Sequence, residues 1–537
     1  VNSKSLMWMN LTAALKNVGT GHINIVSEAT GGEFTTQATL LKAHEMYIKA
    51  LPSLWASLGE YTCDNLDAAL MKLAGNIFED HIEAGVDTKT NIVSLGMSKW
   101  DNVMFAPNTI GEHYLQFATF LSAMQTHRIV AGTIMNYDQF VFSLRERLFR
   151  DMVDDETYTK YKAYKDKQES VKGNNVEFID YLSRFIAYRA NNFTNEWKSN
   201  YAKAYKEGLK NARIEFEKNQ VIYDAFELKD GIASIKAESN ITLEDFAKFL
   251  GKVKGVNHSL HGIYNTFDKS MLSGKMWGEV ILQFRKWLRP NFIRYWGKRV
   301  GKIVFDERLE SYRSGAYMDM INFLLSNGKS AYRETIDKAI ENDEDIDFAT
   351  KAKAIFNGFC GLLYWFKDIN FRYNTLPQAQ KANIKRAMFN FTTLVGLSLV
   401  AASLYAAKDD DDELDENRFF ALACYTIYGV QTELYETSPW GLYSFYKRTM
   451  EAPIPFETSM SNVLNLAYWT LIAPMIVDDE EMLYDRGTYK DEDKRWIAFK
   501  KTIPVFNQYN KMFYLPKNNT YYMQQNPILQ MIVELNK

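Results

Sequence analysis

Cysteine is nearly missing: three occur in 537 residues, Cys63, Cys360 and Cys424, odd in number and far apart. They build neither a disulfide framework nor a zinc spacing, which excludes a secreted disulfide scaffold. They read as small buried hydrophobes. Turn-formers are scarce too. Proline (11) and glycine (28) together make about 7% of the chain, against an average of about 12%, and this favours long helices. A charge excess of either sign is also lacking. Lys and Arg number 63, Asp and Glu 66, leaving −3, so no global field calls for nucleic acid or an anionic membrane. With 47% hydrophobic and 24% charged residues, disorder over most of the length is excluded. No secretory leader pattern opens the chain at Val1, which reads as the start of a piece of a longer polypeptide.

Catalytic signatures are lacking as well. There is no Walker loop, no GxGxxG after a strand and no GxSxG. His258 and His261 lack a third ligand at metal spacing, and His44-Glu45 lacks the second histidine of a zinc protease helix. The consecutive Asp409–Asp412 cannot all face one ion. The sequence therefore assigns no catalytic, cofactor-binding or metal residue, and the chain reads as a non-enzyme.

Aromatic residues are abundant, at 14%, as in dense cores and large interfaces. His22–Val26 and Phe34–Leu40 read as short strands around Gly31-Gly32. Tyr114–Thr126 is uncharged and apolar on all sides, which predicts a fully buried helix. Phe178, Leu182, Ile186, Ala190, Phe193, Trp197, Tyr201, Tyr205 and Leu209 recur every three or four positions, predicting one long helix or two in tandem with an aromatic seam. Val221–Leu228, the turn Lys229-Asp230-Gly231 and Ile232–Ile235 read as a hairpin. Thr242 and Asp245 then mark a helix start, with Phe246, Phe249, Leu250 and Val253 on one face. The acidic run Glu341–Asp347 reads as a solvated turn.

Two stretches near the end carry no charge, residues 387–407 and Thr458–Val477, and about 20 residues suffice to cross a bilayer. Basic residues precede each and acidic residues follow. Phe391, Leu394, Gly396 and Leu399 in the first, and Leu464, Trp469 and Ile472 in the second, are the membrane-segment candidates. Asn390, Ser398, Asn462 and Pro474 interrupt the apolar pattern, which favours helices buried inside a protein assembly over membrane insertion.

One basic block stands out. Between Lys275 and Lys302 eight cations face a single acid, Glu279, with six aromatics interleaved. Arg285, Lys286, Trp287, Arg289, Arg294, Trp296 and Arg299 are the interface candidates. The pattern suits nucleic-acid contact, a lipid headgroup layer, anchors in a protein interface, or an ordinary helix pair with a basic face.

The expected fold is mainly α: long amphipathic helices in an elongated multi-domain arrangement, a minor β-hairpin near 221–235 and hydrophobic helices near the C-terminus. Patterning divides the chain into a mixed helical region 1–110, a helical region 111–235 ending in the hairpin, a region 236–380 with the basic block, hydrophobic helices at 381–481 and an aromatic-rich tail 482–537.

His258-Ser-Leu-His-Gly-Ile-Tyr-Asn265 and Gln283-Phe-Arg-Lys-Trp-Leu-Arg-Pro290, with Arg294, Tyr295 and Arg299 after it, resemble segments of large virion proteins of crAss-like bacteriophages. Gly111-Glu-His-Tyr-Leu-Gln116 and Gln380-Lys-Ala-Asn-Ile-Lys-Arg386 are similar in flavour. The resemblance spans roughly residues 100–400. It implies a cargo protein held in the capsid, portal or tail lumen and ejected with the genome. The partners it implies are portal, tail or sibling cargo subunits in a homo-oligomer, with DNA and the host membrane as further candidates. It places the chain in the virion interior, and in the host envelope or cytoplasm after ejection. The polymerase members of that family need spaced aspartates for Mg²⁺. Asp343-Glu-Asp345-Ile-Asp347 has the spacing without the glycines, so no catalytic role is carried over. An accessory polymerase segment that contacts nucleic acid and a cellular integral membrane protein are the alternative readings.

Overall fold

The computed structural model describes residues 11–57, 62–78, 113–172, 193–261, 288–297, 304–306, 311–313, 315–326, 369–376, 378–409, 418–439, 456–477, 479–485 and 489–502, with isolated positions between them such as Gly111, Leu182, Phe185 and Ile186. Helix accounts for 79% of what is described, and the strands are few, short and antiparallel. The mainly α expectation holds.

The helices in chain order are α1 Leu11–Gly31, α2 Gln37–Ala56 and α3 Leu66–Phe78; α4, residues 113–126; α5 Tyr137–Met152, α6 Asp155–Lys172 and α7 Asn195–Glu217; α8 Leu243–His261, α9 Leu288–Trp296 and α10 Ala316–Leu324; α11 Ile369–Thr375, α12 Gln378–Asp409 and α13 Arg418–Thr437; α14 Phe456–Ala467, α15 Ala473–Ile476 and α16 Lys494–Thr502. A π-helical turn, Tyr468–Ile472, joins α14 to α15.

The largest core gathers α1, α2, α3, α4 and α8 with the short strands β1 Arg128–Val130, β2 Thr133–Met135, β4 Phe226–Lys229 and β5 Ile232–Ile235. Its centre is the uncharged α4. Phe120, Leu121, Ala123 and Met124 are fully buried there, as an all-round apolar segment requires. A second core joins Phe149 of α5, Tyr161 of α6, Tyr201 and Tyr205 of α7, and Phe371 of α11. The aromatic seam is real: Phe193, Trp197, Tyr201 and Tyr205 stack in one column, with centroids 3.8, 5.0 and 6.0 Å apart. Residues four apart share a helix face, and Thr194 starts the helix by accepting the Trp197 amide.

Two local predictions differ from the outcome. His22–Val26 and Phe34–Leu40 are not strands. They belong to α1, to the turn after it and to α2. The β-branched Ile23, Ile25 and Val26 suggested extension, but Ile25 is fully buried and Val26 packs on the same core, and core burial overrides a weak propensity. Gly32, at φ +75°, is the turn the Gly-Gly pair promised. The hairpin is shorter than expected. Its turn, Asp230 and Gly231 at φ +52° and +77°, has the type I′ signs, and Phe226 pairs with Ile235. Val221 instead lies in β3 Gln220–Val221, opposite Arg128 of β1. At Thr242 the predicted cap forms reciprocally: its Oγ1 accepts the Asp245 amide and the Asp245 carboxylate accepts the Thr242 amide.

Far ends of the sequence meet. α1 packs on both α12 and α13, and α12 also packs on α10. Residues of the regions expected at 1–110 and 381–481 thus share one interface. A third small pair, β6 Val304–Asp306 with β7 Ser311–Arg313, lies between α9 and α10 in sequence. Cys63 and Cys424 are buried and not joined in a disulfide. Cys360, the Glu341–Asp347 run and residues 410–417 lie outside the described residues.

Candidate functional site

The basic block contributes Arg294 and Tyr295 to the interior. Arg294, on α9, is buried. Its Nη1 donates to Asn24 Oδ1 and its Nη2 to Asn24 O, both at 3.0 Å. Glu28 Oε2 lies 3.9 Å away. Tyr295 is buried against Tyr317, and Trp296 Nε1 donates to Thr437 O at 2.9 Å. Arg294 is therefore corrected from an exposed interface residue to an internal one. The reason is charge: Glu28 of α1 is a buried acid that needs cations beside it. Arg289 lies on α9, its side chain outside the described set. Arg285, Lys286, Trp287 and Arg299 lie outside it altogether. Phe292 and Ile293 are exposed.

Arg294 borders a polar network that sequence reading missed. Arg386, at the buried face of α12, places Nη2 2.6 Å from Glu28 Oε1 and 2.8 Å from Glu33 Oε2. Its Nη1 donates to Asn383 Oδ1, and Asn383 Nδ2 donates to Asp319 Oδ2 on α10, both at 2.7 Å. Burial alone would disfavour the guanidinium charge, but Glu28 and Glu33 outweigh it and push the Arg386 pKa up. Asp138, at the start of α5, completes the cluster with a buried Oδ2 that has no hydrogen-bond partner among the described residues. Burial first, and the negative charge of Glu33 second, raise its pKa well above the usual carboxylate range. The network latches α1 to α9, α10 and α12 at a cost in desolvation, and such buried charges define geometry rather than add stability. Its only sequence signal was a cationic start to an otherwise apolar helix.

A second missed cluster sits where α1, α2 and α4 meet. His22 stacks on His44 with centroids 5.3 Å apart. Tyr114 Oη lies 3.0 Å from His44 Nδ1, and Tyr47 Oη lies 2.9 Å from His113 Nδ1. Burial lowers the His22 and His44 pKa values, pushes Tyr47 up to about 12 and raises Tyr114. The shifts favour the neutral form of all four rings, and the cluster is a stacked, hydrogen-bonded seam. Among the described residues no group of three or more His, Cys, Asp or Glu could hold a metal ion.

The membrane-segment candidates fall on two helices. Among the described residues no helix is long and apolar enough to cross a membrane. On α12 the reason is visible: one face buries Asn383, Arg386, Asn390 and Ser398 in protein, and Gln431 of α13 donates to Ser398 Oγ at 2.5 Å. Leu394 is buried against Val430 and Leu434 of α13. Phe391 and Leu399 are exposed, together with Met388, Val395 and Val400. Gly396 has no atom within 4 Å of where a Cβ would stand.

The second candidate helix is bare over its last turns. Leu464, Tyr468, Leu471, Ile472, Met475 and Ile476 are all exposed. Its other side rests on α16, where Asn462 Nδ2 donates to Lys501 O at 3.3 Å and Thr502 Oγ1 to Asn462 O at 3.1 Å. Lys494 Nζ stands 4.9 Å from the Trp469 ring centroid and 5.7 Å from that of Tyr484. Lys500 covers Trp496 at 5.3 Å, and Lys501 covers Tyr489 at 4.5 Å.

Compared with protein-family models, curated proteins and solved structures, the chain matches none.

Proposed function

We propose that this chain is a non-enzymatic virion cargo protein, carried inside a phage particle and ejected with the genome, that works through apolar helix surfaces rather than through a reaction centre. The likeness of residues 258–265 and 283–290 to virion proteins of crAss-like phages supports the setting. The observation that carries the mode of action is the uncovered apolar face of residues 464–476; α12 carries a separate exposed row. Contiguous bare apolar surface marks an interaction site. In the particle its partners are portal, tail or sibling cargo subunits, including further copies of this chain. After delivery the partner is the host envelope. The hydrophobic helices near the C-terminus act in this reading as contact surfaces.

The nucleic-acid reading loses one of its cations, because Arg294 is committed to Asn24 and lies beside Glu28. Mass spectrometry of purified particles, before and after triggered genome release, tests the proposal. The protein is expected in full particles and depleted from emptied ones. Absence from full particles overturns it.

A further inference from the structure

We infer that residues 464–476 form an in-plane anchor that docks on a phospholipid bilayer, sinking one helix face into the interfacial layer without crossing it. The helical rod from Phe456 to Ile476 contains one charged residue, Glu457. Its exposed apolar side chains gather on one side. Leu464, Tyr468, Ile472 and Ile476 recur at intervals of four, with Leu471 and Met475 beside them. In an α-helix a four-residue step overshoots a full turn by about 40°, so such a row winds around the rod. The π-helical turn at Tyr468–Ile472 takes more residues per turn and cancels much of that drift, leaving the six side chains within an arc of about 120°. They are open to solvent: Met475 is 84% exposed, Ile476 68% and Leu471 67%. The opposite side is covered in part, through Ala473, which is fully buried, and through the bonds between Asn462 and α16, while Thr470 and Pro474 there stay exposed.

The edge of this face has the chemistry of a headgroup layer. Trp469, at its rim, is capped by the Lys494 ammonium, and Trp496, half exposed on α16, by Lys500. Amphipathic rings with lysines over them suit the boundary between acyl chains and water. A broad apolar face, with aromatic and lysine groups at its margin and too few apolar residues to span, is the pattern of an interfacial helix, which sinks about 5–10 Å. The exposed acids Glu481 and Asp485 follow the rod, so attraction to anionic lipid is not the driving term. Apolar burial is.

The inference rests on the delivery reading above for its setting, but its test does not. The full chain is floated on a density gradient with vesicles of phosphatidylethanolamine and phosphatidylglycerol, and separately with phosphatidylcholine vesicles. The wild type is expected to float with both. The triple variant Leu471→Asn, Met475→Asn, Ile476→Asn changes only exposed positions. Circular dichroism should match the wild type, and partitioning should fall at least about tenfold, from the lost apolar burial. Failure of the wild type to float with either vesicle overturns the anchor. So does binding only to the anionic vesicles, or flotation that the triple variant retains. If light scattering instead shows a wild-type oligomer that the variant breaks, with no flotation, the face is a contact between copies and the lipid inference is wrong. None of these results depends on whether the chain is found in particles.

Discussion

Gly31 lies against Arg386 so closely that a Cβ on it would stand 2.7 Å from the guanidinium Nε. The last residue of α1 is therefore shaped around the cation that latches α1 to α12. The two acids that hold Arg386, Glu28 and Glu33, flank this glycine in sequence, so one short segment supplies these anions and the room for their partner.

Gly31→Ala should force the Arg386 fork off its two carboxylates, costing about 1–3 kcal/mol as a strained buried pair. Gly396→Ala, on the same α12, meets no atom within 4 Å and should stabilise by about 0.5–1 kcal/mol through helix propensity. Paired urea titrations decide this. Equal effects of one sign would show that the close approach does not matter.

Arg386→Met leaves Glu28 and Glu33 buried without their main cation. The expected loss is about 3–5 kcal/mol. Lys385→Met, at the exposed neighbouring position, should change stability by no more than about 0.5 kcal/mol. Chemical denaturation of both variants checks the contrast.

Burial pushes the fully enclosed His127 down to about 3, between the rings of Phe34 and Phe249. Its folded pKa lies below its unfolded value near 6.5, so its contribution is whole above about pH 6.5 and is lost as pH falls toward 3. His127→Gln should flatten that acid limb while lowering stability at neutral pH. A variant with the wild-type slope between pH 6.5 and 4 would count against it.

Asp138 works in the opposite sense. Its folded pKa is raised, so stability is greatest below the ordinary carboxylate pKa near 4 and declines as pH climbs from there toward the folded value. Asp138→Asn cannot titrate. Relative to wild type it should gain stability at pH 7.5 compared with pH 4, and an offset equal at the two pH values would disprove the assignment.

The uncharged α4, the four-residue aromatic column, the Asp-Gly turn and the Thr242 cap were legible in the sequence, because each is a local pattern that sterics or spacing enforces. Val26 and its β-branched neighbours misled, because their helix is set by distant packing. The latch was invisible for the same reason: Glu28, Arg294 and Arg386 are joined only by the fold, and α9's basic pattern looked like a surface until Glu28 lay beneath it. The bare face at 464–476 was half legible. Its lack of charge was plain, but not which side α16 would cover.

The hydrogen bond from Arg386 to Glu28 spans 358 residues. On a ribosome adding about 5–20 residues per second, that interval is about 20–70 s. Throughout it the first described helix exists without the cation that its buried acid requires. Of the described helices α1 is thus the first to be made, yet it is locked only once α12 has followed, so synthesis and closure of this contact are far apart in time.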